Sequence, residues 1–186
     1  MPTPPFHRLL SFYSNRNPSD PTTIRLGDSL SGNLSLGLDF PVALAIAVGR
    51  HLFLRNTASW FSLNIHVPSV KTTKTLLDNV VIEDEKDYYT CAELVSEAGK
   101  RDGWSGRMDA VGLWALTADV KTGRVRGEDV VGFQRGELFE RVEARRRSRE
   151  QVLPFWRGGP ISVTGHSWFV KKLFDVDVYR SDLKSD

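Results

Sequence analysis

The chain has 186 residues, 40% hydrophobic and 26% charged, which is typical of a globular protein with a substantial core. Its net charge of +2 gives no reason to expect a nucleic-acid partner. One cysteine, Cys91, excludes an intramolecular disulfide and a cysteine-based zinc cluster. The length predicts a single domain over residues 1–186. The opening MPTPPFHRLL lacks the apolar stretch of a secretory signal, so we expect a cytoplasmic protein.

The first 54 residues predict two helices separated by an irregular region. A short helix is expected over residues 7–13, and Pro18 and Pro21 break the loop that follows. Residues 38–54 predict an apolar helix opened by Pro41. It is shorter than the ~20 apolar residues that cross a bilayer. A buried core helix is the favoured interpretation, and a segment lying in a membrane interface is the alternative.

The rest of the chain predicts a helical body over residues 55–147 and a C-terminal loop with an amphipathic segment over residues 148–186. Its expected elements are a strand at 60–67, helices at 84–101, 107–117 and 128–147, a loop at 154–160 and an amphipathic segment at 168–178. The fold class is therefore mainly α with minor β.

Common catalytic and nucleotide-binding motifs are absent from the sequence. There is no phosphate loop, no GxGxxG and no HExxH, and the four histidines are scattered, which gives no metal signature. His166, Ser167 and Asp175 lie near one another in sequence, but no GxSxG elbow accompanies them. The basic run at residues 141–149 is interpreted as the solvated end of a helix, with an anionic membrane surface as the alternative.

The order of the segments is more informative than any single motif. Residues 107–147 resemble the C-terminal half of a caleosin, and the matching positions are Asp109, Leu113, Trp114, Leu116, Asp119, Gly123, Glu128, Asp129, Val130, Phe133, Gly136, Leu138 and Phe139. Upstream, the family's N-I-H element is matched by Asn64-Ile65-His66, and its aromatic pair by Phe12-Tyr13. The resemblance implies a single helical domain in which residues 1–37 form a degenerate EF-hand-like region.

Caleosins are lipid-associated haem peroxygenases with one calcium-binding EF-hand, and this sequence departs from each attribute. The stretch matching the calcium loop has one carboxylate, Asp20, and no central glycine, so no calcium is expected. Leu9 stands where the resemblance places the first haem ligand, and His7 would face about 200° away on a helix. Haem held by His66, with help from His51, remains an alternative to no cofactor. The family's proline knot has no counterpart, so contact with a membrane or lipid droplet is expected to be peripheral at most.

Two ionisable residues at family-matched positions lie in apolar surroundings. His66 and Asp109 are the candidate catalytic residues, because a histidine or carboxylate in an apolar stretch often marks a site. The expected aromatic pocket consists of Trp60, Phe61, Trp104 and Trp114. A structural hydrogen bond between His66 and Asp109 inside the core is an equally weighted alternative.

Three functions remain open. The leading hypothesis is a cofactor-free enzyme that cyclises or isomerises a hydrophobic small molecule, as in a pericyclic Diels–Alder reaction. His66 would polarise a substrate carbonyl, and Asp109 would orient the imidazole. The second hypothesis is a haem peroxygenase. The third is a non-catalytic lipid-surface protein that uses residues 38–54 and the basic cluster at 145–149.

Overall fold

Helices make up most of the part of the chain that the structure describes. The structure is a computed structural model that describes residues 3–54, 62–75, 77 and 88–179, with the backbone alone at residue 101. Its helices are α1 Pro5–Ser14, α2 Leu26–Ser35, α3 Phe40–Leu54, α4 Cys91–Thr117, α5 Gly127–Arg135, α6 Leu138–Arg147 and α7 Val163–Phe174. Its two-residue strands are β1 Thr23–Ile24, β2 Ile65–His66, β3 Tyr88–Tyr89 and β4 Val125–Arg126. The mainly α class with minor β is confirmed.

The strands form two small antiparallel pairs. In the first pair, Thr23 of β1 lies opposite His66 of β2, and in the second, Tyr89 of β3 lies opposite Val125 of β4. Within the described residues, the strand expected over 60–67 is reduced to Ile65–His66. A 3-10 turn follows at once at Val67–Ser69, where Pro68 lacks the N–H that a sheet ladder needs.

Local signals in the sequence explain where α4 begins and bends. The Thr90 side chain accepts a hydrogen bond from the Glu93 N–H, and the Glu93 carboxylate accepts one from the Thr90 N–H. This capping box starts the helix at Cys91 rather than at the expected residue 84. Gly103 has a φ of 56°, which breaks the helical path between the two expected helices.

The single helix expected over residues 128–147 is wrong, because Gly136 divides it into α5 and α6. Gly136 has a φ of 78°, and a Cβ at this position would lie 2.2 Å from the Pro5 carbonyl oxygen. Only glycine combines a left-handed φ with so close a backbone contact. The C-terminal helix also differs from expectation, since α7 begins at Val163, where the Ser162 side chain accepts from the Gly165 N–H.

One residue of the basic run is buried rather than solvated. The Arg146 side chain is fully buried on α6. Its Nε donates to the Leu36 carbonyl at 3.0 Å, and Nη1 donates to the Gln151 carbonyl at 2.8 Å. The expectation that all of residues 141–149 form a solvated helix end is therefore wrong at this position, where the guanidinium satisfies carbonyl oxygens of neighbouring segments.

The chain divides into two compact units. The first consists of Met1–Leu9 and Thr72–Phe139, and the second of Leu10–Lys71 and Glu140–Asp186. The expected single domain stays a prediction. In the second unit, α2, α3 and α7 pack around a core that includes Leu34, Ala43, Ala47, Leu153 and Val170. Among the described residues, no helix has the length and apolar character needed to cross a membrane.

Candidate functional site

His66, the first predicted catalytic residue, lies half-buried on β2 in the second unit. Its Nδ1 lies 2.8 Å from the Ser69 hydroxyl oxygen in the 3-10 turn that follows the strand. This contact occupies one ring nitrogen and orients the imidazole. The predicted hydrogen bond to a substrate carbonyl would therefore have to come from Nε2.

Asp109, the second predicted catalytic residue, lies half-buried on α4 in the first unit. Burial raises the pKa of its carboxyl to about 6, and the negative charge of Asp102 adds to the rise. A carboxyl with this pKa exchanges its proton close to neutral pH, as general acids and bases do. The predicted hydrogen bond between His66 and Asp109 stays a prediction.

The four aromatic residues predicted to line a pocket have different surroundings. The Trp104 side chain is 76% exposed on α4. Trp114 is half-buried, and its indole N–H donates to the Gly123 carbonyl at 2.8 Å. Trp60 and Phe61 lie outside the described residues. The aromatic substrate pocket therefore also stays a prediction.

His51 lies fully buried on α3, with both ring nitrogens engaged by the protein. Its Nδ1 contacts the Leu63 carbonyl oxygen, and its Nε2 lies 2.9 Å from the Ser29 hydroxyl. A carbonyl only accepts, so Nδ1 carries the proton and Nε2 accepts from the hydroxyl. Burial lowers the pKa of His51, which favours this neutral form. In this arrangement both ring nitrogens of His51 are engaged by protein atoms, and the expectation that His51 assists a haem stays a prediction.

More polar contacts join α3 to α2 and α1 in the second unit. The Asn33 amide nitrogen donates to the Ala43 carbonyl at 2.8 Å. The Tyr13 hydroxyl donates to Asn33 Oδ1 at 3.1 Å and accepts from Arg50 Nη2 at 2.8 Å. The inner face of α3 is thus held by polar groups together with the small side chains of Ala43 and Ala47.

The opposite side of α3 is entirely apolar. We call its exposed side chains the α3 outer face, and they are Pro41, Val42, Ala45, Ile46, Val48, Leu52 and Phe53. Phe53 is 91% exposed and Leu52 is 55% exposed. A surface helix of a globular protein ordinarily turns its apolar side inward and its polar side to water. In α3 the apolar side is exposed, and the polar residues Arg50 and His51 bond to the protein.

Segments next to the start of α3 also expose apolar side chains. The Phe40 ring makes an edge-to-face contact with Phe169 and a tilted contact with Phe174 of α7, each at 6.0 Å between ring centroids. The Asp39 N–H donates to the Gly158 carbonyl at 2.7 Å, which places the 3-10 turn Phe155–Arg157 nearby. The exposed apolar side chains on these segments are Phe155, Trp156, Ile161, Trp168, Phe169 and Leu173. Large contiguous apolar patches are uncommon on the surface of soluble monomeric proteins.

The two units differ in charge. The second unit has 15 Lys and Arg against 10 Asp and Glu, a net charge of +5. The first has 10 against 13, a net charge of −3, and together they give the +2 of the whole chain. The α3 outer face therefore belongs to the basic unit.

The loop between α1 and α2, where the resemblance would place a calcium loop, uses side-chain oxygens in hydrogen bonds. Asp20 Oδ1 accepts from the Thr22 N–H at 2.9 Å, and Asn17 Oδ1 accepts from the Ser19 N–H at 3.3 Å. Within the described ranges, no three His, Cys, Asp or Glu side chains are grouped as metal ligands. The expected absence of calcium stays a prediction.

The sequence alone predicts no structural contact for Arg50, and for His51 only help in holding a haem. A usable signal was present, because Ala43, Ala47 and His51 recur every four residues and so mark one helix face. That face is the inner one, which leaves apolar residues for the side that meets water. The exposed tryptophans Trp156 and Trp168 carried no comparable signal.

No family model matches this chain, and neither the curated proteins nor the solved structures contain a match to it. The resemblance to caleosins stays a prediction.

Proposed function

We propose that this protein binds an anionic lipid surface through its second unit, with the α3 outer face entering the interface. The observation that carries the proposal is the reversed orientation of α3. Its polar residues Arg50 and His51 bond to the protein, while each of its exposed side chains is apolar. Peripheral membrane helices bury such a face at the boundary between headgroups and acyl chains.

The free energy of transfer supports this interface. Complete burial of a Leu or Phe side chain contributes about 1.5–3 kcal/mol. Leu52 and Phe53 remain largely exposed, so most of this free energy is still available to a lipid surface. The exposed rings of Trp156 and Trp168 add side chains of the type enriched at the level of the headgroups.

The charge of the second unit supports an anionic surface. Each Lys or Arg close to an anionic membrane contributes about 1 kcal/mol of attraction. With a net charge of +5, the second unit is attracted to such a surface, whereas the first unit, at −3, is repelled. The unit that carries the α3 outer face is thus also the unit that anionic lipids attract.

Vesicle flotation tests this function. Wild-type protein should float with vesicles of phosphatidylserine and phosphatidylcholine, and Leu52→Ser/Phe53→Ser should lower its partition coefficient about 10–100-fold, from the loss of two apolar side chains. Trp104→Ser is the matched control, because Trp104 is a largely exposed aromatic of the first unit. The proposal would be overturned if wild-type protein stayed unbound, or if the double variant bound as well as the control.

A second candidate is the cofactor-free cyclase or isomerase of a hydrophobic substrate, and the observation in its favour is the raised pKa of Asp109. For any such substrate that the protein converts, His66→Ala should lower kcat about 10²–10³-fold. Asp109→Asn should lower kcat by a smaller factor, and the kcat of the double variant should be close to that of His66→Ala. Unchanged kcat in both single variants would exclude these roles. A Soret band lost in His66→Ala would instead support the haem peroxygenase.

A further inference from the structure

Two adjacent lysines of α7 use their charges differently. The Lys171 ammonium pairs with the Asp175 carboxylate at 2.8 Å and with the Asp177 carboxylate at 3.2 Å. The Lys172 Nζ lies 4.8 Å from the centre of the Trp168 ring, a cation–π contact. Among the ion pairs of the described residues, none includes Lys172. Lys171 is therefore held by carboxylates, whereas the exposed Lys172 ammonium has donors for an added anion.

Lys172 lies on an outer side of α7 that is otherwise rich in exposed apolar groups. Trp168 precedes it by four residues and Phe169 by three, so their side chains lie about 40° and about 60° from Lys172 around the helix. Trp168 is 63% exposed, and Leu173, the next residue, is 60% exposed. Lys171 lies about 100° from Lys172, on the flank opposite Leu173. The ion pairs of Lys171 therefore lie to one side of this apolar surface.

This side of α7 adjoins the α3 outer face. The Phe169 ring makes an edge-to-face contact with Phe40, the first residue of α3, at 6.0 Å between ring centroids. Gly158, which ends the 3-10 turn, lies against the α3 outer face, because the Val42 Cγ1 is 3.1 Å from the position of an added Cβ. A lipid surface in contact with the α3 outer face is therefore near Lys172 as well.

The Trp168 ring sets the depth of the ammonium. Tryptophan side chains are enriched at the level of the lipid headgroups. A lysine keeps its ammonium in the polar layer while its methylene groups cover apolar surface. Because the Lys172 Nζ lies over the Trp168 ring, a ring at headgroup level places the ammonium at the level of the phosphates. An ammonium binds a phosphate oxygen as a compact point charge.

We propose that Lys172 binds the phosphate of an anionic lipid headgroup, with Trp168 as the positioning residue that holds the ammonium at headgroup depth. This inference rests on the proposed function and adds the headgroup contact to it. Lys171 has no part in this contact, because Asp175 and Asp177 already bind its ammonium.

The first test compares two lysine variants in vesicle flotation. Lys172→Gln should lower the partition coefficient for vesicles containing phosphatidylserine about fivefold, the effect of one Lys close to an anionic surface. Lys71→Gln is the matched control, because it removes an exposed lysine of the same unit and changes the net charge equally. Its effect should be less than about twofold. Equal coefficients for the two variants would overturn the inference, since net charge alone would then explain the loss.

The second test measures whether Trp168 positions the ammonium. Trp168→Leu keeps an apolar side chain but removes the ring that contacts Nζ. In this background, Lys172→Gln should lower the partition coefficient by less than about twofold, because the two residues act together. A loss of about fivefold in both backgrounds would show that the residues act independently and would overturn the role of Trp168.

Inorganic phosphate distinguishes a lipid headgroup from a free anion. At constant ionic strength, millimolar inorganic phosphate should leave the binding of wild-type protein to vesicles unchanged. Displacement of wild-type protein, but not of Lys172→Gln, would overturn the lipid headgroup as the ligand and identify a free-phosphate site.

Failure of the inference and failure of the proposed function give different results. If Leu52→Ser/Phe53→Ser loses binding while Lys172→Gln binds as well as Lys71→Gln, the lysine contact is wrong and the interface through the α3 outer face stands. If wild-type protein does not bind vesicles at all, both are wrong.

Discussion

Burial controls the protonation of His51 and Asp109 in the same physical direction, toward the neutral form. It lowers the pKa of the imidazole and raises the pKa of the carboxyl. The hydrogen bonds of His51 suit the neutral imidazole, because one ring nitrogen donates to the Leu63 carbonyl and the other accepts from the Ser29 hydroxyl. Asp109 lies in an environment that favours a neutral acid, so its charge at neutral pH lowers the stability of the fold.

Asp109→Asn should therefore stabilise the protein at neutral pH. The folded pKa of about 6 exceeds the ordinary value of 3.8, so the protonated acid contributes stability below pH 3.8 that is lost as the pH rises through 6. We expect the variant to raise the free energy of unfolding by about 1–3 kcal/mol at pH 7, and by little near pH 4. Urea denaturation at several pH values measures this difference.

Asp102→Asn is the control for that measurement, since Asp102 contributes the smaller part of the shift. At pH 7, Asp102→Asn should also raise the free energy of unfolding, but by less than Asp109→Asn does. Equal unfolding free energies for wild type and Asp109→Asn at pH 7 would contradict the raised pKa.

Glycines decide where several helical elements end, and they do so for different reasons. At Gly103 a positive φ bends α4, whereas at Gly136 a positive φ coincides with a close contact to the Pro5 carbonyl. Gly112 also lies in α4, but its φ is helical and no atom lies within 4 Å of an added Cβ. Glycine is thus required at position 136 and dispensable at position 112.

Gly136→Ala and Gly112→Ala should change stability in opposite directions. At Gly136 an alanine faces both the left-handed φ and a Cβ contact of 2.2 Å, so we expect a loss of about 2 kcal/mol or more. At Gly112 an alanine improves helix propensity and should add about 0.5–1 kcal/mol. Thermal unfolding followed by circular dichroism measures both. Equal melting temperatures would contradict the tight turn between α5 and α6.

On the scale of the whole molecule, charge and exposed apolar surface are distributed unequally between the two units. The second unit combines a net charge of +5 with the α3 outer face, while the first carries −3. Electrostatic attraction reaches about 10 Å at 0.1 M salt, whereas apolar contact acts only at the interface. The two contributions to lipid binding can therefore be separated by ionic strength.

Binding to anionic vesicles should weaken with salt without disappearing. Raising NaCl from about 0.05 M to about 0.5 M shortens the screening length and removes most of the electrostatic part. The affinity for vesicles that remains at high salt should come from the α3 outer face. The Leu52→Ser/Phe53→Ser variant should therefore lack this remaining affinity. Titration of vesicles at each salt concentration measures the partition coefficient. A coefficient that does not change with salt would contradict the electrostatic role of the basic unit.

The sequence by itself determined the mainly helical class, the apolar helix near residues 38–54 and the break near Gly103, because these depend on local periodicity, capping and turn residues. The sequence also showed Asp109 in an apolar stretch, whereas the burial that raises its pKa depends on the tertiary structure. Only the tertiary structure decided that α3 turns its polar side inward, since Ser29, Asn33 and Tyr13 come from other helices. It also decided that Arg146 is buried and that Gly136 meets Pro5, because such contacts join residues distant in sequence.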